Sequence, residues 1–165
     1  MLENSFENLR YKKVHAVDRF TAKGLDMILL VILALILTVV WYPIAVIGAV
    51  CYALFHDAFK GGRSPGKMIV GLKVIRYPDE KSPVTWKVSA MRNISFAIFT
   101  LFALIPMVGW ILLFLVGIPL LIFEAYLIYS LDSGYRLGDI LAGTRVVALR
   151  DYEDVNSRKN EKSEE

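Results

Sequence analysis

The sequence predicts an all-α membrane protein: four transmembrane helices forming two hairpins in a parallel internal repeat, with short cytoplasmic amphipathic segments. Three observations carry this. The chain is 56% hydrophobic, with a mean hydropathy of +0.50, well above soluble norms. Its charges are segregated: residues 1–24 hold five Lys/Arg and three Asp/Glu, residues 57–92 hold eight and three, and residues 132–165 hold six and eight. Only Asp26 and Glu124 lie outside those segments. Lastly, two similar segments recur 72 residues apart, each following one apolar region.

The N-terminal segment, residues 1–18, is expected to be cytoplasmic, being too charged and polar for a cleavable signal peptide. The first apolar region, Arg19 to Lys60, holds 42 residues, and the second, Trp86 to Leu131, holds 46. A spanning helix needs about 20 residues, and either region as one helix would run to roughly 60 Å, twice a hydrocarbon core. Each therefore predicts two spans, near 19–41 and 43–60, then 88–105 and 110–131. The turns at Trp41-Tyr42-Pro43 and Pro106 to Trp110 are uncharged. Lys and Arg are retained on the cytoplasmic side, so both termini and the 61–87 loop are placed inside. That charged central segment, 57–92, is +5 and suits anionic lipid headgroups.

GGRSPGKMIVGLKVI (Gly61 to Ile75) aligns without gaps with SGYRLGDILAGTRVV (Ser133 to Val147). Gly62, Gly66 and Gly71 match Gly134, Gly138 and Gly143, and Lys73 matches Arg145. Each reads as a short amphipathic helix stopped by Gly71 or Gly143, then an extended basic-aliphatic stretch; Ser64-Pro65 supplies the cap and first turn of the first. LKVIRY and TRVVALR alternate as strands do and are expected to pair as a ribbon. Lys67 matches Asp139 in the alignment, which suggests an ion pair between repeats. The domain so defined spans 19–150, and the polar tail 151–165 has no apolar period and is expected to be disordered.

Intramembrane ionisable residues are the default functional sites. Arg19 and Asp26 are seven apart and share a helix face, with Ala22 between them. Asp26, Glu124 and His56 are the ion- or proton-binding candidates. His56 and Asn93 stand at a depth similar to that of Asp26 and could pair with it. Arg19, Asp139, Lys67 and Arg136 are assigned structural or electrostatic roles, and Arg19 is expected within ion-pairing reach of Asp139 or Asp26. The outer halves of the helices offer only Thr38, Tyr42 and Thr100 as polar side chains, so conduction calls for an oligomer, a water-filled gap or backbone ligands. Two distant histidines and the lone Cys51 form no metal cluster or disulfide. A P-loop fails because Met68 follows Lys67 where Ser or Thr is required.

RFTAKGLD, GRSPGKMIVGLKVI and GYRLGDILAGTRVV resemble, in order and spacing, the signatures of the RDD membrane proteins, named for an arginine and two aspartates. The resemblance runs from about Tyr11 to Leu149 and places the three naming residues on Arg19, Asp26 and Asp139. It implies a multi-pass protein of the bacterial inner membrane and, from an activity attributed to some members, cation/proton antiport. The resulting expectation is a small homo-oligomeric transporter of protons or alkali cations, with Asp26 as the binding carboxylate, Arg19 its electrostatic regulator and Glu124 an accessory acid. The alternative is a non-catalytic scaffold or lipid- and partner-binding module. Neither reading is enzymatic, and neither calls for a cofactor or a nucleic acid.

Overall fold

The computed structural model describes residues 11–164 apart from 13, 78, 81 and 131–134. Most of the chain is helical. Helix α1 (Ala16–Val40) buries Arg19, Ala22, Asp26, Leu30 and Ala34, a stripe at spacings of three and four that faces the rest of the protein. Helix α2 (Tyr42–Phe55) returns after Trp41, with Pro43 in its first turn, and buries Ala45, Ala49 and Ala53. These short side chains let α1 and α2 approach closely, and Gly48 lies against Leu37 of α1. Leu30, Ala34, Ala49, Ala53 and Ala97 form the intramembrane core.

After a short 3-10 turn (His56–Gly61), helix α3 (Pro65–Val70) lies across the inner end of α1. Gly66 makes this possible, since a Cβ there would overlap the Ala22 carbonyl oxygen. Strand β1 (Leu72–Arg76) follows. Helices α4 (Trp86–Arg92) and α5 (Ile94–Leu104) come next. They meet at Asn93 with a bend of 67°, so the predicted single span 88–105 is a broken one. The break follows from chemistry: Arg92 and Asn93 are held by carboxylates, while the apolar residues after them turn away into the α1/α2 packing.

The fourth predicted span is helical over α6 (Val108–Leu112), a wider π turn (Leu113–Gly117) and α7 (Ile118–Ser130). By length and composition, three helices among the described residues can each cross a membrane, or four if the bent α4/α5 pair is one span. Large apolar side chains such as Ile36, Val39, Phe114 and Leu115 stand exposed on these helices, as expected of surfaces facing acyl chains.

Helix α8 (Leu137–Leu141) packs on α4 as α3 packs on α1. A Cβ at Gly138 would overlap the Arg92 carbonyl oxygen. Gly71 and Gly143 both take positive φ, 75° and 57°, where the helices end. The Gly62–Gly134 match lies partly outside the described residues. Strand β2 (Thr144–Ala148) pairs antiparallel with β1, in the register Leu72↔Ala148, Val74↔Val146, Arg76↔Thr144. Helix α9 (Leu149–Glu164) occupies the tail where the composition predicts disorder. The reason is local: Tyr152 and Val155 pack against Ile75 and Val147, and the Lys73 ammonium sits 3.7 Å over the Tyr152 ring.

Candidate functional site

Where α1, α3, α4 and α8 converge, the fold buries a chain of alternating charges. Asp26 is fully buried. Its Oδ2 accepts from the Ser64 hydroxyl at 2.6 Å and its Oδ1 from the Gly66 amide at 2.8 Å. Ser64 also caps α3, accepting from the Lys67 amide at 3.3 Å, so one hydroxyl both starts α3 and ties it to α1.

Asp57, also fully buried, holds the centre. It pairs with Lys67, with Arg92 Nε at 3.0 Å and with Asn93 Nδ2 at 2.9 Å. Arg92 spans two carboxylates, since its Nη2 lies 3.1 Å from Asp139 Oδ1. Arg19 Nη1 lies 3.7 Å from the other Asp139 oxygen. Asp139 Oδ2 also accepts from the Arg136 amide at 3.2 Å, closing the first turn of α8. Three buried carboxylates thus face three buried cations, Arg19, Lys67 and Arg92. Unpaired, any of these ions would cost several kcal/mol.

Burial alone would raise the Asp139 pKa; Arg92, Arg136 and Arg19 outweigh it and hold the carboxyl below its ordinary value. Burial, and then the neighbouring Arg92, bring the Lys67 ammonium down to about 8 in spite of Asp57.

His56 closes the site from α2. Its Nδ1 faces two carbonyl oxygens, Ala53 at 3.0 Å and Tyr52 at 3.2 Å, so Nδ1 carries the hydrogen. Nε2 is buried without a hydrogen-bond partner among the described residues. It points between two carboxylates, 3.7 Å from Asp26 Oδ2 and 3.8 Å from Asp57 Oδ1. Tyr52 stacks on the ring at 5.5 Å, and its hydroxyl is likewise buried and unpartnered among the described residues.

Of the residues picked from sequence, Arg19 and Asp139 meet, as do Asp26 and His56. Lys67 and Asp139 do not pair; each is taken by a nearer partner, Asp57 for Lys67 and the two arginines for Asp139. Glu124 is not a partner of Asp26 or His56. It lines a cavity together with Arg19, Lys23 and Arg136. Asn93 lies near Asp26 in depth but donates to Asp57. Sequence reasoning missed Asp57 and Arg92 because they border polar segments and were counted with the loop charges. The available signal was their position, each one residue beyond an apolar stretch.

Residues 13–143 match the profile of the RDD family. The chain belongs to the RDD family. Comparison with curated proteins and with solved structures finds no match. The RDD signature residues Arg19, Asp26 and Asp139 all sit in this buried network, where Arg92 and Asp57 connect them. The arginine of the signature pairs with its second aspartate. The first is held by α3.

Proposed function

We propose that this RDD protein is an antiporter-like, cation/proton-coupled transporter that works as an oligomer in the bacterial inner membrane, and that His56, Asp26 and Asp57 form its proton-binding centre. The observation that carries this is the buried His56 Nε2, aimed between two carboxylate oxygens. A proton on Nε2 would be drawn to either oxygen. Loss of that proton leaves three acceptors facing one another, which favours repacking of α1 against α2. Such a switch, in a group shared by helices, is what coupling requires.

Several features support the surrounding architecture. A shift of 72 residues carries the Leu72↔Ala148 pair onto Arg76↔Thr144 and leaves Val74↔Val146 in place, as a two-fold axis between parallel repeats demands. The charged segments favour a cytoplasmic location for both termini and the central loop, where its basic residues can meet anionic headgroups. In the outer half, Thr38 and Thr100 return their hydroxyls to Ala34 and Phe96 of their own helices. A polar route within one protomer is thus unsupported, which favours a path shaped between protomers. Glu124, which shares a cavity with Arg136 and Lys23, is the accessory acid.

Proteoliposomes with an entrapped pH dye test this reading. A sodium, potassium or lithium gradient should drive proton movement, and His56→Gln and Asp57→Asn should each abolish it in folded protein. Full flux in either variant removes the centre. A second reading, a non-catalytic scaffold, is favoured by the match of Arg19, Lys67 and Arg92 to Asp26, Asp57 and Asp139 within the network and by the hydrogen bond already made to each Asp26 oxygen. Absence of flux with all three cations would select it.

A further inference from the structure

Lys23 is a cation of α1 that the buried network does not use. Among the described residues its ammonium makes no hydrogen bond or ion pair, and it rests 3.4 Å over the Phe96 ring. A half-buried ammonium without an ion pair, set over a ring, favours an anion beside it. Arg136 adds to the same demand, with a buried Nε lacking a hydrogen-bond partner among the described residues. Both side chains line one end of a cavity of about 130 Å³ between α1, α5 and α7, where Glu124 is the facing carboxylate. The other end of the cavity is apolar, walled by Phe99, Leu120 and Leu121.

This cavity does not stop there. Met27, Phe96 and Phe99 also line a second one of about 200 Å³ that runs on between α1 and α5 to Thr38. From Lys23 to Thr38 is about 22 Å along α1, much of a hydrocarbon core of about 30 Å. Val31 and Leu35 on its rim are exposed, so the trench opens sideways toward the bilayer. A cationic mouth at one end and an apolar trench of that length match a molecule with an anionic head and a long acyl tail.

We propose that this groove binds one anionic glycerophospholipid, its phosphate against Lys23 and Arg136 and one acyl chain along the Met27–Phe99 wall. The mouth carries two cations without ion pairs among the described residues against one carboxylate, which favours net negative charge on the head. A free phosphate would leave the trench without an occupant. The groove shares no residue with His56, Asp26 or Asp57, so the site stands whether or not the protein moves protons.

Native mass spectrometry of the delipidated full chain in detergent, with added phosphatidylglycerol or phosphatidylcholine, tests this directly. The wild type should keep one phosphatidylglycerol per protomer at collision energies that strip phosphatidylcholine. Its thermal midpoint should rise with phosphatidylglycerol and stay unchanged with inorganic phosphate. Lys23→Gln/Arg136→Gln should lose the preference, while Lys87→Gln, an exposed charge on α4, should keep it. Leu121→Trp leaves both cations and fills the trench, so it should lower phosphatidylglycerol retention at least tenfold even where the double variant fails to fold. Equal retention of the two lipids, a shift reproduced by phosphate alone, or full retention in Leu121→Trp would overturn the assignment.

Discussion

Arg92 is the residue whose loss should cost this fold most for a single charge. Its Nε reaches Asp57 at 3.0 Å and its Nη2 reaches Asp139 at 3.1 Å, with the side chain almost wholly buried. Arg92→Met keeps much of the stem's packing and removes both contacts, leaving Asp57 with Lys67 and Asn93, and Asp139 with Arg19 at 3.7 Å. Charge-assisted bonds of this kind contribute about 1.5–3 kcal/mol each, and breaking a buried pair from one side costs about 3–5 kcal/mol. The expected loss is therefore about 3–5 kcal/mol, a large share of a typical total of about 5–15 kcal/mol. Arg92→Lys retains the charge but cannot bridge two carboxylates from one planar group, so it should recover only about half. Neutralising a stranded partner should help: Arg92→Met/Asp139→Asn should be more stable than the sum of the single changes predicts. Equilibrium unfolding in mixed micelles, followed by circular dichroism, measures the wild type, Arg92→Met, Arg92→Lys, Asp139→Asn and the double variant. Lys87→Met, on the exposed face of the same helix, is the control at about 0–1 kcal/mol. An Arg92→Met loss no larger than this control would refute the idea that the network holds the helices together.

Two further outcomes follow from the same geometry. Gly66→Ala and Gly138→Ala should each destabilise by about 1–3 kcal/mol, because the added methyl meets the backbone carbonyl of Ala22 or Arg92; Gly24→Ala, where nothing lies within 4 Å, should be neutral or stabilising by up to about 1 kcal/mol. Thermal unfolding in detergent ranks the three. The third prediction concerns acid. Asp139 has a folded pKa below its ordinary 3.8, so its contribution is complete above that value and is lost as pH falls through the folded pKa. Unfolding midpoints measured from pH 6 to pH 2 should fall at the acid end, and Asp139→Asn should flatten that decline.

The apolar helices and the positions of the short returning helices were legible in the chain because the bilayer and the helix ends impose them. Uncharged runs of set length and glycine at helix ends are local requirements, written where they act. The pairing of Arg19 with Asp139 was also within reach, since each follows from its place relative to an apolar boundary. The pairing of β1 with β2 came from their alternation. The middle of the centre, and the partner of Lys67, were not legible. Asp57 and Arg92 look like loop charges until α3 folds back under α1, held by Ser64 and Gly66 on Asp26, and α8 packs on α4. Only then does water leave these groups, and only then must each find the nearest opposite charge. Glu124 and Asp26 are alike in sequence, two lone acids in apolar runs. Tertiary packing separated them, giving Asp26 two hydrogen-bond donors and a histidine, and leaving Glu124 on the wall of an open groove. The helix over 149–164 belongs with the centre in this respect: its few apolar residues are too sparse to predict burial until the ribbon offers Ile75 and Val147 to cover. Hydropathy is a property of segments and can be read along the chain, whereas a buried charge is settled by whichever partner the fold brings closest.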